Sequence, residues 1–224
     1  ADQLIEDALL ADLLGEVLSV ADDIHPSFFE ATTAAAFLAF TRIPADACVI
    51  EVGLGGRLDA TNVIARPVVT GIAQLGLDHQ AFLGENLVDI AAEKAGIAKP
   101  GVPLVTLNYP APIANRIGQA AQHAGAHWLP KGSGWDAAAY REKLHYRDRD
   151  GRLDLPMPRM AGLHQAQNAA LAVAMLRMQK AVVVPETAIR AAMRWADWPA
   201  RLQPLAEGAL AVRLPKGSEL WLDG

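Results

Sequence analysis

"EVGLGGRLDATN", residues 51–62, places three glycines, two acids and an arginine within twelve positions, directly after the apolar run Ala47-Cys48-Val49-Ile50. The run reads as a buried β-strand, and Glu51 then stands at its carboxyl end. In open α/β sheets ligands sit beyond the carboxyl ends of the strands, and glycines there let a ligand approach the backbone. Gly53, Gly55 and Gly56 spell G-x-G-G, whereas a dinucleotide fingerprint would need a further glycine at position 58, which is Leu58. No G-x-x-x-x-G-K-[ST] phosphate loop occurs in the 224 residues. What remains is a carboxylate placed to hold Mg²⁺ through oxygen, with a tight turn bearing a solvated acid as the competing reading.

Outward from this stretch, the pattern alternates between helix and strand. Apolar positions over residues 2–20 predict an amphipathic helix, broken by His25-Pro26-Ser27. A second helix follows at Phe28–Phe40, closed by Pro44. Strands are expected at Val68–Ala73, Pro103–Leu107 and His127–Leu129, separated by helices at 86–98 and 111–124. Residues 143–155 read as a hairpin turning at Asp150-Gly151. Helices at 163–179 and 185–196 and strands at 203–213 and 219–222 complete the chain. The expected fold is α/β, a doubly wound and mostly parallel sheet flanked by helices, with a small β-hairpin appendage, in one domain over residues 1–224.

Composition narrows the function classes. The chain is 52% hydrophobic and 20% charged with a net charge of −5, which disfavours a nucleic-acid surface, because backbone binding needs clustered Lys and Arg. No apolar run reaches the ~18 residues of a membrane span. Cys48 is the only cysteine, so no internal disulfide can form, and a cytoplasmic protein is expected. Small molecules are the expected partners.

Three further constellations carry chemistry. His79, just after the strand 68–73, offers an imidazole as a metal ligand or as a cap. Lys94 falls on the apolar stripe formed by Leu87, Ile90, Ala91, Ala95, Ile97 and Ala98. Its head either snorkels to water, or burial lowers the amine's pKa so that it adds CO₂ and becomes a carbamate. His164 and Asn168 lie one helical turn apart and face one direction. Arg57 and Asp59 suit a loop salt bridge. Phe29, at helical spacing, is either core or an aromatic wall of an apolar cleft.

"EVGLGGRLDATN" and "LGLDHQAFLGENLVDIAAEKAGI", followed by "HQAQNAALAVAML", "WPARLQ" and "LWLDG", resemble in order the folylpolyglutamate and dihydrofolate synthases of the Mur ligase superfamily. The resemblance covers nearly the whole chain. It implies an ATP-dependent ligase that adds L-glutamate to dihydropteroate or a reduced folate through an acyl phosphate. It further implies Mg²⁺ held by Glu51 and His79, a carbamylated Lys94 at the phosphate site, and nucleotide contacts from Asn168, Arg201 and Asp223. Phe29, in "FFEATT" with Thr33, and Ala60 would face the pterin; Lys94, His79 and Arg201 would be the catalytic set. Ala200 replaces the glycine of the family's Pro-Gly-Arg, which bears on the backbone there. A monomer is expected, with the phosphate loop and a C-terminal domain lying outside these residues, so that the chain is inactive alone. A Mur-type cell-wall peptide ligase and a non-catalytic nucleotide- or folate-binding fragment are the alternatives.

Overall fold

The structure, a computed structural model, describes residues 3–21, 23–77 and 83–224. The chain forms two compact units, Ala1–Arg66 with Leu77–Ile97, and Pro67–Gly76 with Ala98–Gly224. Among the described residues no helix is long and apolar enough to cross a membrane.

The first unit rests on two helices, α1 (Asp7–Ser19) and α2 (Phe28–Arg42). Leu13 of α1 is fully buried against Ala35 and Ala39 of α2, with Leu9, Val17 and Leu38 packed around them. Alanine on the facing side of α2 allows the leucine to fill the space between the helices. Ser27 starts α2 with a capping box. Its N–H donates to the Glu30 carboxylate at 2.8 Å, and Glu30 N–H donates back to its hydroxyl at 3.3 Å. The bond from Ser27 N–H first, and the one its hydroxyl donates to the same carboxylate at 2.7 Å second, hold the Glu30 carboxyl below its ordinary value. A shorter helix, α3 (Leu87–Ala95), is capped by Asn86, whose side-chain oxygen accepts from Val88 and Asp89 N–H at 3.0 Å each. It buries Ile90, Ala91 and Ala95.

One expectation fails here. Ala47–Ile50 is not a strand: the segment has no regular secondary structure and no strand partner, and Val49 is 97% exposed. Apolar side chains alone do not make a strand; a neighbour must supply the ladder hydrogen bonds, and among the described residues none does. Glu51 therefore follows an unpaired segment rather than closing a buried strand.

The second unit contains the parallel sheet. β1 (Thr70–Ile72), β2 (Pro103–Thr106) and β3 (His127–Pro130) lie in that order, all parallel, with Gly71 opposite Val105 and Val105 opposite Leu129. Leu104, Val105 and Thr106 are fully buried. Thr106 satisfies its hydroxyl by donating to Leu107 C=O at 3.0 Å and accepting from Trp128 Nε1 at 3.1 Å. α4 (Ala111–Ala124) packs on β3 and ends at Gly125, whose left-handed φ of +69° glycine adopts without strain. α5 (Leu163–Met178) lies on β1 and β2, and Met175 occupies the space a side chain on Gly71 would need. The helix-flanked parallel sheet is that expected from the strand–helix alternation.

The expected hairpin is the second half of a three-stranded antiparallel meander, β4 (Trp135–Tyr140), β5 (Lys143–Asp148) and β6 (Gly151–Pro156). Arg141 and Glu142, at φ +49° and +57°, form the β4–β5 turn with two left-handed residues. The meander is fastened to α5 by a buried ion pair: Arg177 donates to both carboxylate oxygens of Asp148, at 2.5 and 2.8 Å, and the Asp148 side chain is 1% exposed. Tyr146, stacked on Trp135, donates to the same carboxylate at 3.1 Å. Burial, and secondly the Asp148 charge, push the Tyr146 hydroxyl well above its ordinary pKa. α6 (Glu186–Trp195) packs on β6. The last expected strands are shorter than the pattern suggested: β7 (Gln203–Pro204) pairs antiparallel with β8 (Trp221–Leu222), and Ala211–Arg213 is a 3₁₀ turn. Leu210, Val212 and Leu214 are exposed, so their apolar pattern marks no buried strand face.

Candidate functional site

In the first unit the glycine loop is built to dock tightly on two sides. A Cβ on Gly53 would collide with the ring of Phe29. A Cβ on Gly56 would meet Glu93 C=O at 2.9 Å and Lys94 Cα at 3.1 Å, so only glycine lets the loop lie on the end of α3. Arg57 completes the junction. Its N–H donates to Glu93 C=O at 2.9 Å, and its guanidinium donates twice to Glu93 Oε1, at 3.1 and 3.0 Å. Asn62 donates to Arg57 C=O and Gly96 C=O, both at 3.1 Å.

The expected Arg57–Asp59 salt bridge is thus absent, because each side chain has a better-placed partner. Asp59 caps the 3₁₀ turn Ala60–Val63, accepting from Thr61 N–H at 2.9 Å, Thr61 Oγ1 at 2.6 Å and Leu54 N–H at 2.8 Å. Burial works to raise the Asp59 pKa, but the bonds from Thr61, Leu54 and Gly53 outweigh it and the net shift is downward.

Beside this loop an open groove of about 270 Å³ is lined by Phe29, Thr32, Thr33, Phe37, Phe40 and Thr61, with Glu51 on its wall. Phe29 and Glu51, singled out separately from the sequence, therefore share one cleft. Ala60 adjoins it through Thr61 and does not line it. Phe37 and Phe40 were not singled out, although Phe29, Thr33, Phe37 and Phe40 repeat at i, i+4, i+8 and i+11, which is one helix face. Lys94 is half-buried in the last turn of α3, and its backbone lies directly under Gly56. His79 lies outside the described residues.

In the second unit the structure brings Arg201 and Asp223 together. The Asp223 carboxylate accepts from Leu202 N–H at 3.0 Å, and Gly224 N–H donates to Ala200 C=O at 2.9 Å, so the end of β8 is bonded to both neighbours of Arg201. Leu202 in turn comes within 3.1 Å of where a Cβ on Gly162 would stand, at the start of α5. Asn168, a turn and a half along that helix, is exposed and donates to Gln165 at 3.3 Å. The His164 ring folds back over Gly162, where a Cβ would clash with it. Arg201 is exposed and makes no ion pair among the described residues.

No family model matches the chain. The folylpolyglutamate synthase of Lacticaseibacillus casei is 36% identical over 201 residues, covering 85% of this chain and 46% of the relative. E. coli FolC in complex with DHPP and ADP superposes with a TM-score of 0.85 at 30% identity, covering 99% of this chain and 50% of that one. A bifunctional folylpolyglutamate synthase/dihydrofolate synthase with Mn, AMPPNP and L-glutamate bound gives a TM-score of 0.82 at 28% identity, again over 99% of this chain and 50% of that one. The fold is that of the Mur ligases. Within that class the chain is a homologue, along most of its length, of the folylpolyglutamate and dihydrofolate synthases. It spans about half the length of the relatives it matches.

Proposed function

We propose that the chain supplies acceptor- and nucleotide-binding groups to an ATP-dependent ligase that joins L-glutamate to dihydropteroate or a reduced folate. In such a reaction the acceptor carboxylate takes the γ-phosphoryl group of ATP and releases ADP. The glutamate amine then attacks the acyl carbon, phosphate leaves and the amine gives up a proton, forming the amide. The observation that carries the reading is the first unit's assembly: one glycine loop contacts the wall of an aromatic groove through Gly53 and the Lys94 helix through Gly56, with Glu51 in the groove. The relatives bound to DHPP and ADP, or to Mn, AMPPNP and L-glutamate, support it.

The donor set bears on the metal. Among the described residues no cluster of three or more His, Cys, Asp or Glu could hold a metal ion by itself. Glu51 is a single exposed carboxylate, which suits Mg²⁺: that ion keeps water and phosphate oxygens and takes only one or two carboxylates from protein. Glu51, with His79, would hold it; when bound, Mg²⁺ supplies neutralisation of phosphate charge. Lys94 would carry CO₂ as a carbamate and so present an anionic oxygen at the same site. Phe29, with Ala60 in the adjoining loop, would orient the acceptor's ring through the groove's aromatic wall. Asn168 would contact the nucleotide, Asp223 would support it, and Arg201 would hold phosphate oxygens, for which a planar guanidinium is suited.

The test is incorporation of labelled glutamate by the protein expressed from its complete reading frame. Mg²⁺, ATP and bicarbonate are supplied, with dihydropteroate and tetrahydrofolate as separate acceptors. Incorporation with either is the expected result; none with both overturns the reading.

A further inference from the structure

Arg201 sits between two residues that L-amino acids seldom place as they are placed here. Ala200 has φ +57° and Leu202 has φ +47°, both in the left-handed region. Such a backbone persists only where its surroundings hold it, and strain of this kind gathers at functional sites. The holding groups are visible. Ala200 N–H donates to the Gln203 side-chain oxygen at 3.0 Å, and Leu202 N–H donates to Asp223 at 3.0 Å. Each strained residue thus has its N–H captured by a side chain, one from Gln203 of β7 and one from Asp223, the residue directly after β8. The guanidinium between them is exposed and makes no ion pair among the described residues, so the held backbone sets the direction in which a free cation leaves the chain.

We infer that Gln203 is a positioning residue for Arg201: with Asp223 it holds the two left-handed residues that aim the guanidinium at an anionic group of the nucleotide. The inference rests on the assignment of Arg201 to the nucleotide. It differs in kind from a direct contact, because Gln203 spends its oxygen on backbone and acts only through its neighbour. Leu202, packed at the start of α5, keeps the turn beside the helix that carries Asn168.

The test is a double-mutant cycle on the complete protein, Arg201→Ala, Gln203→Ala and both together. The readouts are affinity for a fluorescent non-hydrolysable ATP analogue with Mg²⁺, KM and kcat, and the thermal midpoint. Arg201→Ala is expected to weaken nucleotide binding roughly tenfold, the loss of one charge-assisted contact. Gln203→Ala alone is expected to raise KM for ATP about three- to tenfold and to change kcat less. In the Arg201→Ala background it should change affinity by less than about twofold, because residues acting through one another are not additive. Equal weakening in both backgrounds, or no weakening by Gln203→Ala when Arg201→Ala does weaken, overturns the inference and leaves the role of Arg201 standing. No effect from Arg201→Ala overturns both.

Discussion

The ring of Phe29 fills the space that a Cβ on Gly53 would require. A loop glycine and a helix aromatic are thereby matched in shape across the edge of the groove that also holds Glu51. Phe29 is 41% exposed, so its ring can swing outward if residue 53 gains a methyl group. Gly53→Ala should accordingly cost little stability, about 1 kcal/mol or less, since the clash falls on the mobile end of a side chain. The groove, however, would lose its wall. KM for the pterin-bearing acceptor is expected to rise while kcat changes less, the signature of lost uniform binding. Steady-state kinetics against the acceptor check this, and an unchanged KM would remove Phe29 from the substrate.

Gly56 makes the opposite case. Besides the Ile97 methyl, the atoms its Cβ would meet are Glu93 C=O and Lys94 Cα, both backbone of α3, and its φ is +154°. Neither can rotate away. Gly56→Ala is expected to cost about 1–3 kcal/mol, the range for forced overpacking, or else to lift the loop from the helix. Amide exchange separates this from Gly53→Ala: protection at Arg57 N–H, which donates to Glu93 C=O, should fall only in the Gly56 variant.

The Asp148–Arg177 pair sets a pH dependence. Burial tends to raise the Asp148 pKa, but the Arg177 hydrogen bond, the Asp150 N–H and the Arg177 charge outweigh it, and the carboxyl sits below its ordinary 3.8. An acid with a depressed folded pKa contributes stability above its unfolded value, lost as pH falls through the folded one. Denaturant unfolding should thus show a decline that begins near pH 4 and continues below it. Arg177→Met would leave the carboxylate buried without its cation, costing roughly 3–5 kcal/mol at pH 7. That cost should shrink towards pH 3, where Asp148, no longer held ionised by its partner, is protonated. A cost independent of pH would assign Arg177 to packing alone.

The helices and the parallel strands were legible because their signals are local. α4 is bounded by Pro110 and Gly125, and β2 is a short, mostly apolar run that is almost wholly buried. β4 was not legible: "WDAAAY" has three alanines and no β-branched residue, and it is a strand because β5 supplies its partner. Ala47–Ile50 errs the other way, apolar yet unpaired. For the site, Phe29 and Glu51 could be named from sequence, but their shared groove and its Phe37–Phe40 wall arise from helix geometry. The role of Gln203 was not legible, because it depends on a φ angle three residues earlier that composition does not encode.

That φ angle gives the last expectation. Ala200 stands at +57°, where an L-residue costs about 1–2 kcal/mol relative to glycine because Cβ approaches the carbonyl oxygen. Ala200→Gly removes that cost but gives the unfolded chain more freedom, worth roughly 0.4–1 kcal/mol against folding. The first quantity exceeds the second, so the variant should be more stable by about 0.5–1 kcal/mol, a rise of roughly 1–4 °C in Tm for a chain of this size. Both bonds that fix the turn through residue 200, its N–H to Gln203 and its C=O from Gly224, use backbone atoms that glycine retains. Nucleotide affinity should therefore change little. A fall in Tm, measured by thermal denaturation, would mean that residue 200 is not left-handed and that the turn around Arg201 is unstrained.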